Sequence, residues 1–516
     1  MSVLRLMYPI IFLLAACGLG SSSESLALAT ATTVRVEPST LVPTLAREPH
    51  AVASALPIHE AAAGEGCDFS EDEPTVRHTV TANLNYEQRA LMVAQRVRMI
   101  NRDEMPLAEI VFTVEPNLWP RAFTLERVTL GPTTPLPGYE LTGRRLNVTL
   151  PELLEPGCAL EVRLDFRLDV PLIGEDVARY RGYLGYSQRQ LNLGHWLPVV
   201  APRIEGNWVT HEAVRVGEQT VLDMADWDVT LNINSASDTL VVAGPGEQSR
   251  VSERTWHFFL PAARDFTLSM SDAYHVGSQL TPGGVLVEVY SFAGSDRGGQ
   301  SGRRRADSAA HALDMAVRSL EMYSDLYGPY PYDQLAVVQG DFPDGMEFTG
   351  IVFVSSSWFN QYDGNPAGYL TLITVHEVSH QWWYALVGSD QALTPWLDEA
   401  LATYSEYIFL EEYYPDLKDW WWSFRVDAFA PAGFVDGTVY QFSSVREYIN
   451  AVYLLGARML HDLRADLGTE AFFDLLRRYA EAGRGRIATP GLFWSLLTPE
   501  QANAVEATRR RYFSGF

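Results

Sequence analysis

Two histidines one helical turn apart, in His376-Glu377-Val378-Ser379-His380, are the part of this 516-residue chain best suited to chemistry. On a helix that spacing puts both imidazoles on one face, where they can share a zinc ion, with the Glu377 carboxylate projecting beside them. Nineteen residues beyond His380, Glu399 stands near the start of the next expected helix. An oxygen ligand from that helix would complete three protein ligands and leave a fourth zinc position open, the arrangement of a catalytic rather than a structural site. Glu406, seven residues further on the same helical face, is placed to accept the distal N–H of a ligating histidine and hold its ring.

Such a site needs rigid helices around it, and from Ala367 onward nearly everything scans as helix: Thr371–Val387, Pro395–Glu412, Arg446–Leu467 and Thr469–Ala482. Leu313, Val317, Leu320 and Tyr327 recur at helical spacing before a stop at Gly328-Pro329, and two short apolar strands, Leu335–Val338 and Ile351–Val354, flank a turn at Pro343-Asp344-Gly345. Upstream the period is two. Leu160, Val162, Leu164, Phe166, Leu168 and Val170 share one strand face, and Trp227, Val229, Leu231 and Ile233 repeat the pattern. The expected organisation is α+β and multidomain: an antiparallel all-β domain over 72–276, then a mainly α domain with a small sheet over 277–516.

Taken together, the motifs resemble those of the gluzincin metallopeptidases of the aminopeptidase-N and leukotriene-epoxide hydrolase type. The resemblance is carried by His376-Glu377-Val378-Ser379-His380 with Glu399, by the flanking Gln381-Trp382-Trp383 and Trp396-Leu397-Asp398-Glu399, by Gly345-Met346-Glu347, by Tyr453-Leu454-Leu455-Gly456-Ala457, and by Gly328-Pro329-Tyr330-Pro331-Tyr332. It implies a saddle-like β domain before a thermolysin-like catalytic domain, one zinc per chain on His376, His380 and Glu399, and peptide substrates. It further implies Glu377 as general base, Tyr453 as the phenol facing the developing oxyanion, and Glu347 as the carboxylate for the substrate's free α-ammonium, with Gly345 and Met346 on a strand that binds substrate backbone. From the residues alone Tyr448 fits a site as well as Tyr453; the resemblance selects Tyr453. Asp344, Phe348 and Leu455 depart from the family pattern around these segments. Gln188 and Gln190 both fall where family members place a glutamine near the substrate's N-terminus. Trp420-Trp421-Trp422 reads as helix packing, and Arg303-Arg304-Arg305 as a solvated helix start. Larger relatives continue into a helical domain for which the sixty or so residues after Tyr453 leave no room, which predicts an open cleft.

Composition narrows the alternatives. Lys+Arg 39 against Asp+Glu 64 leaves a net charge of −25, which repels a phosphate backbone and excludes a nucleic-acid partner. Residues 1–17 carry Arg5, an apolar run from Tyr8 to Leu14 and then Leu14-Ala15-Ala16-Cys17, a signal-peptide pattern that resembles a lipobox. The expectation is an extracytoplasmic protein tied to a membrane by a lipid on Cys17, with 18–71 as a flexible tether. Cys67 and Cys158 form one disulfide in that compartment or remain two free thiols. Three functions stand at this point: an aminopeptidase, a zinc endopeptidase or dedicated-substrate peptidase, and a surface binding lipoprotein with a silent site.

Overall fold

The computed structural model describes residues 32–34, 67, 69–70, 73–131, 134–136, 138–174, 182–292 and 307–515. Cys17, most of the 18–71 tether and Arg303-Arg304-Arg305 lie outside these residues. Alternation of apolar and polar residues builds an eight-stranded twisted sheet in the first half. Its central strands are Ala225–Asn234, Val76–Asn85, Ala90–Ile100 and Ala159–Asp169. The inward set Val162, Leu164, Phe166 and Leu168 is fully buried. One pairing is parallel, Ala225–Asn234 alongside Val76–Asn85, so the sheet is not purely antiparallel. Parallel neighbours need a long crossover, and here the intervening chain supplies four strands of a second, five-stranded sheet. Cys67 and Cys158 are disulfide-bonded, closing a loop of 91 residues at one end of the β domain.

The second half opens with a five-stranded mixed sheet whose first strand, Tyr274–Leu280, straddles residue 276. Gln334–Gly340 and Ile351–Ser355 are its fully buried inner strands, and the two-residue strand Gly345–Met346 is its edge. Four helices follow or flank it: α1 (Ser308–Tyr327), α2 (Ser356–Gln361), α3 (Tyr369–His380) and α4 (Trp396–Tyr413). Helix α3 is buried on every side from Leu370 to His380, sandwiched between sheet, α1 and α4. The Tyr323 hydroxyl on α1 donates to the carbonyls of Val375 and Ser405, tying α3 and α4 to one post.

The helix expected over Thr371–Val387 ends earlier, at His380, and the chain continues in a wide turn, Gln381–Leu386. Two buried indoles hold that turn: Trp382 Nε1 donates to the Gly328 carbonyl and Trp383 Nε1 to Ser405. The helix expected over Arg446–Leu467 is likewise divided, into Val445–Tyr448, a wide turn Ile449–Leu454, and Leu455–Leu467. Wide turns of this kind recur at functional sites because they re-aim side chains. The two halves are pinned by Arg264. Buried in the β domain, it donates to the carbonyls of Leu222, Tyr384, Leu386 and Arg486.

Candidate metal centre and active site

Helical spacing brings His376 and His380 to one face of α3, and α4 crosses so that its first turn faces them. Asp398 and Glu399 both sit in that first turn, where the helix dipole favours negative charge. His376 Nε2 lies 3.4 Å and His380 Nε2 3.6 Å from Glu399 Oε2. Zinc–donor bonds of about 2.1 Å at tetrahedral angles separate donor atoms by about 3.4 Å, so the spacing suits that ion. Glu399 Oε2 is buried and has no hydrogen-bond partner, as a coordinating oxygen would.

The opposite nitrogens of both rings are engaged. His376 Nδ1 lies 3.0 Å from Glu406 Oε1 and His380 Nδ1 2.6 Å from Asp398 Oδ1. With a carboxylate accepting at Nδ1, each ring presents the Nε2 lone pair toward Glu399. Glu406 is itself clamped: Arg425 forms a two-pronged contact with it, and Trp421 Nε1 donates to Oε2 at 3.0 Å. Burial opposes ionisation of Glu406, but Arg425 and His376 overcome it and lower its pKa to about 2. Burial also opposes charge on His376, and the Glu399 and Glu406 carboxylates outweigh it, lifting its pKa to about 9. His380 is driven upward against burial by Asp398, Glu347 and Glu399. A centre this negative demands a cation in place of those protons.

Glu377 stands beside the histidines with Oε2 buried and unpartnered. Burial raises its pKa to about 7, against the pull of His376 and His380. Its other oxygen rests on Gly345: a Cβ there would fall 2.1 Å from Glu377 Oε1. The Gly345–Met346 strand pairs with Val354 and Phe353 on one side only, which leaves its outer edge for an extended peptide. Glu347 follows directly. It is buried, with oxygens within 4.8 Å of donor atoms of Glu377 and His380 and, in a second grouping, of Glu218 and Glu399. Burial and the surrounding acids push its carboxyl well above the usual range, although His380 draws it down. Only a cationic partner relieves such a group in its ionised form.

Tyr453, carried by the wide turn Ile449–Leu454, lies parallel to the His376 ring at 6.1 Å and helps hold Glu399 ionised. Tyr448 packs edge-on against Tyr453 and sits against Gly217. The structure therefore gathers His376, Glu377, His380, Glu399, Glu406, Glu347, Gly345, Met346 and Tyr453 into one region. It does not bring Gln190 there. That side chain is buried against Tyr274, Ser269 and the 339–341 backbone, where it makes four hydrogen bonds.

Four residues at the centre were not singled out from sequence. Asp398 precedes a proposed ligand and Arg425 follows the tryptophan run, so proximity in sequence was their only signal. Trp421, which reads from sequence as helix packing, is also a donor to Glu406. Glu218 arrives on a β-domain loop, with Gly217 beside it at φ +62 against Val439 and Tyr448, and no local pattern marks it.

Residues 311–512 match the sequence profile of the Peptidase family M1 domain. Over that stretch the chain resembles the M1 peptidases of the aminopeptidase-N type. The chain is similar to aminopeptidase M1-B of Oryza sativa subsp. japonica, 27% identical over 249 residues that cover 45% of this chain and 27% of that protein. A second relative is endoplasmic reticulum aminopeptidase 1 of Homo sapiens, 30% identical over 220 residues, covering 40% of this chain and 22% of that protein. The match thus spans about a quarter of the length of these curated relatives. Among solved structures, a variant of the M1 zinc metallopeptidase from Deinococcus radiodurans bound to a Tyr-Ser-Ala substrate superposes with a TM-score of 0.60 at 17% identity, covering 85% of this chain and 94% of that chain. That likeness is one of fold, and it extends over both the β domain and the M1 domain. The cofactor of such a domain is a single zinc ion, which the three converging donors fit.

Proposed function

We propose that this protein is an extracytoplasmic zinc aminopeptidase that removes N-terminal residues from peptides, with His376, His380 and Glu399 holding the metal. The observation that carries the reading is the convergence of those three donors beside an unpartnered Glu377 and a buried, cation-seeking Glu347. When bound, zinc supplies Lewis-acid chemistry, acidifying water and polarising a carbonyl. Glu377 is the general base: it takes the proton of the attacking water and delivers it to the leaving amine. The Tyr453 hydroxyl, beside Glu399, donates to the oxygen on which negative charge develops. Glu347 binds the α-ammonium and Gly345–Met346 aligns the first residue as an added strand, so that hydrolysis is counted from the chain end. Glu406 and Asp398 keep His376 and His380 in the tautomer that leaves Nε2 free.

The disulfide between Cys67 and Cys158 supports an oxidising compartment, in keeping with the signal-like residues 1–17 and a lipid on Cys17. No helix among the described residues is long and apolar enough to cross a membrane. The test compares leucyl-aminomethylcoumarin with its N-acetyl form, on wild type and on Glu377→Gln. Release from the free-amine substrate alone, with Glu377→Gln retaining zinc but losing about 10²- to 10⁴-fold in turnover, is expected. Equal release from the blocked substrate removes the aminopeptidase reading, and undiminished turnover in Glu377→Gln removes Glu377 as base.

A further inference from the structure

Gln391 lies in the turn that leads into α4 and is buried. Its side-chain nitrogen donates to Asp398 Oδ2 at 2.7 Å and to Glu347 Oε1 at 3.2 Å. The other oxygen of Asp398 takes the His380 Nδ1 contact at 2.6 Å. Four buried side chains, His380, Asp398, Gln391 and Glu347, therefore form an unbroken chain from a proposed metal ligand to the proposed amine anchor. The NH2 group and not the carbonyl faces both carboxyl groups.

This link does something the surrounding acids cannot. Glu377, Asp398 and Glu399 repel the Glu347 carboxylate, as Glu218 and Glu347 repel each other, and repulsion gives it no preferred direction. Gln391 supplies a directional hydrogen bond, which fixes one oxygen of Glu347 and leaves the other for an incoming ammonium. An arginine or lysine at 391 would bridge the two carboxylates more strongly but would cancel the charge that an ammonium must find. A neutral amide orients the anchor and leaves its charge in place.

We infer that Gln391 is the positioning residue that fixes the amine anchor Glu347 relative to the metal ligand His380, through Asp398, and so sets how far from the chain end hydrolysis occurs. This rests on the aminopeptidase reading above. Gln391→Leu removes both donors at similar volume, and Gln391→Asn keeps the amide but withdraws it by one methylene, which covers the case in which Leu perturbs folding.

The experiment measures kcat and KM on leucyl-aminomethylcoumarin and zinc affinity by chelator competition, in wild-type and Glu347→Gln backgrounds. For either variant KM is expected to rise about tenfold, the scale of one hydrogen bond to a charged acceptor, while kcat changes by less than about threefold. Zinc affinity is expected to fall by up to about tenfold, at the low end for a group supporting a ligand. In the Glu347→Gln background the change at 391 adds nothing to KM but still weakens zinc, because the second effect runs through Asp398. Unchanged KM and zinc affinity overturn the inference and leave the aminopeptidase reading standing, as do equal losses in kcat and KM in both backgrounds. A wild-type enzyme that releases no N-terminal residue overturns the reading and the inference with it.

Discussion

Replacing Gly345 by alanine tests whether the proposed substrate strand and the proposed general base share one fitted contact. The added Cβ would sit 2.1 Å from Glu377 Oε1, 2.4 Å from Cδ and 2.8 Å from Cγ. Non-bonded heavy atoms settle at about 3.5 Å, so the carboxylate must retreat by about 1 Å or more. The strand cannot yield instead without breaking its pairing to Val354 and Phe353. Glu377 is buried and cannot swing into solvent. A displacement of about 1 Å at a reacting group costs about a hundredfold in rate. The three proposed zinc donors are untouched, so the expected signature is kcat/KM lowered about a hundredfold with one zinc per chain retained and an unchanged thermal midpoint. In a Glu377→Gln background the same change should cost little more, since the base is already gone. Turnover within a factor of about three of wild type, or loss of zinc together with activity, would refute the fitted contact.

Further outcomes follow from the geometry. Asp398→Asn weakens the acceptor that holds His380 and should reduce zinc affinity by about 10- to 100-fold in a chelator competition; unaltered affinity would show that His380 needs no such support. His78, stacked on Trp227 and bonded to Gln95, is buried neutral, with its pKa lowered from 6.5 to about 3. Between those values the unfolded chain binds more protons than the folded one, so this stabilisation is full above pH 6.5 and is lost as pH falls. At pH 5 the loss amounts to about 2 kcal/mol, and the stability gap between wild type and His78→Phe should shift by that amount between pH 7 and pH 5 in urea titrations; parallel pH profiles would contradict it. Reducing the Cys67–Cys158 bond, which closes 91 residues, should cost about 4.6 kcal/mol by loop entropy and lower the denaturation midpoint, whereas an unchanged midpoint under reductant would rule that contribution out.

What could be read from the sequence follows how local each interaction is. The proposed ligand set is legible because α3 and α4 are consecutive: helical spacing aligns His376 with His380, and the short connection brings Glu399 across. Glu406 follows from its seven-residue offset on the same helix. The β strands were equally plain, since alternation such as Leu164, Phe166 and Leu168 admits one reading. The parallel register of Ala225–Asn234 with Val76–Asn85 is a long-range pairing that no local period encodes. The breaks at His380 and at Tyr448 were missed because apolar spacing runs on through them; tertiary hydrogen bonds from Trp382 and Trp383 end the first. Glu218 and Gln391 were invisible for a related reason. Each acts through a carboxylate far away in the chain, and only the folded path brings them together.

The most direct test of the account is the metal and activity of the purified protein measured together. Mass spectrometry should find one zinc per chain, with N-terminal residue release from free-amine peptides abolished by chelator and restored by zinc, and with both zinc and activity lost in Glu399→Ala. A protein that binds no zinc, or one whose peptide release survives complete removal of metal, would contradict it.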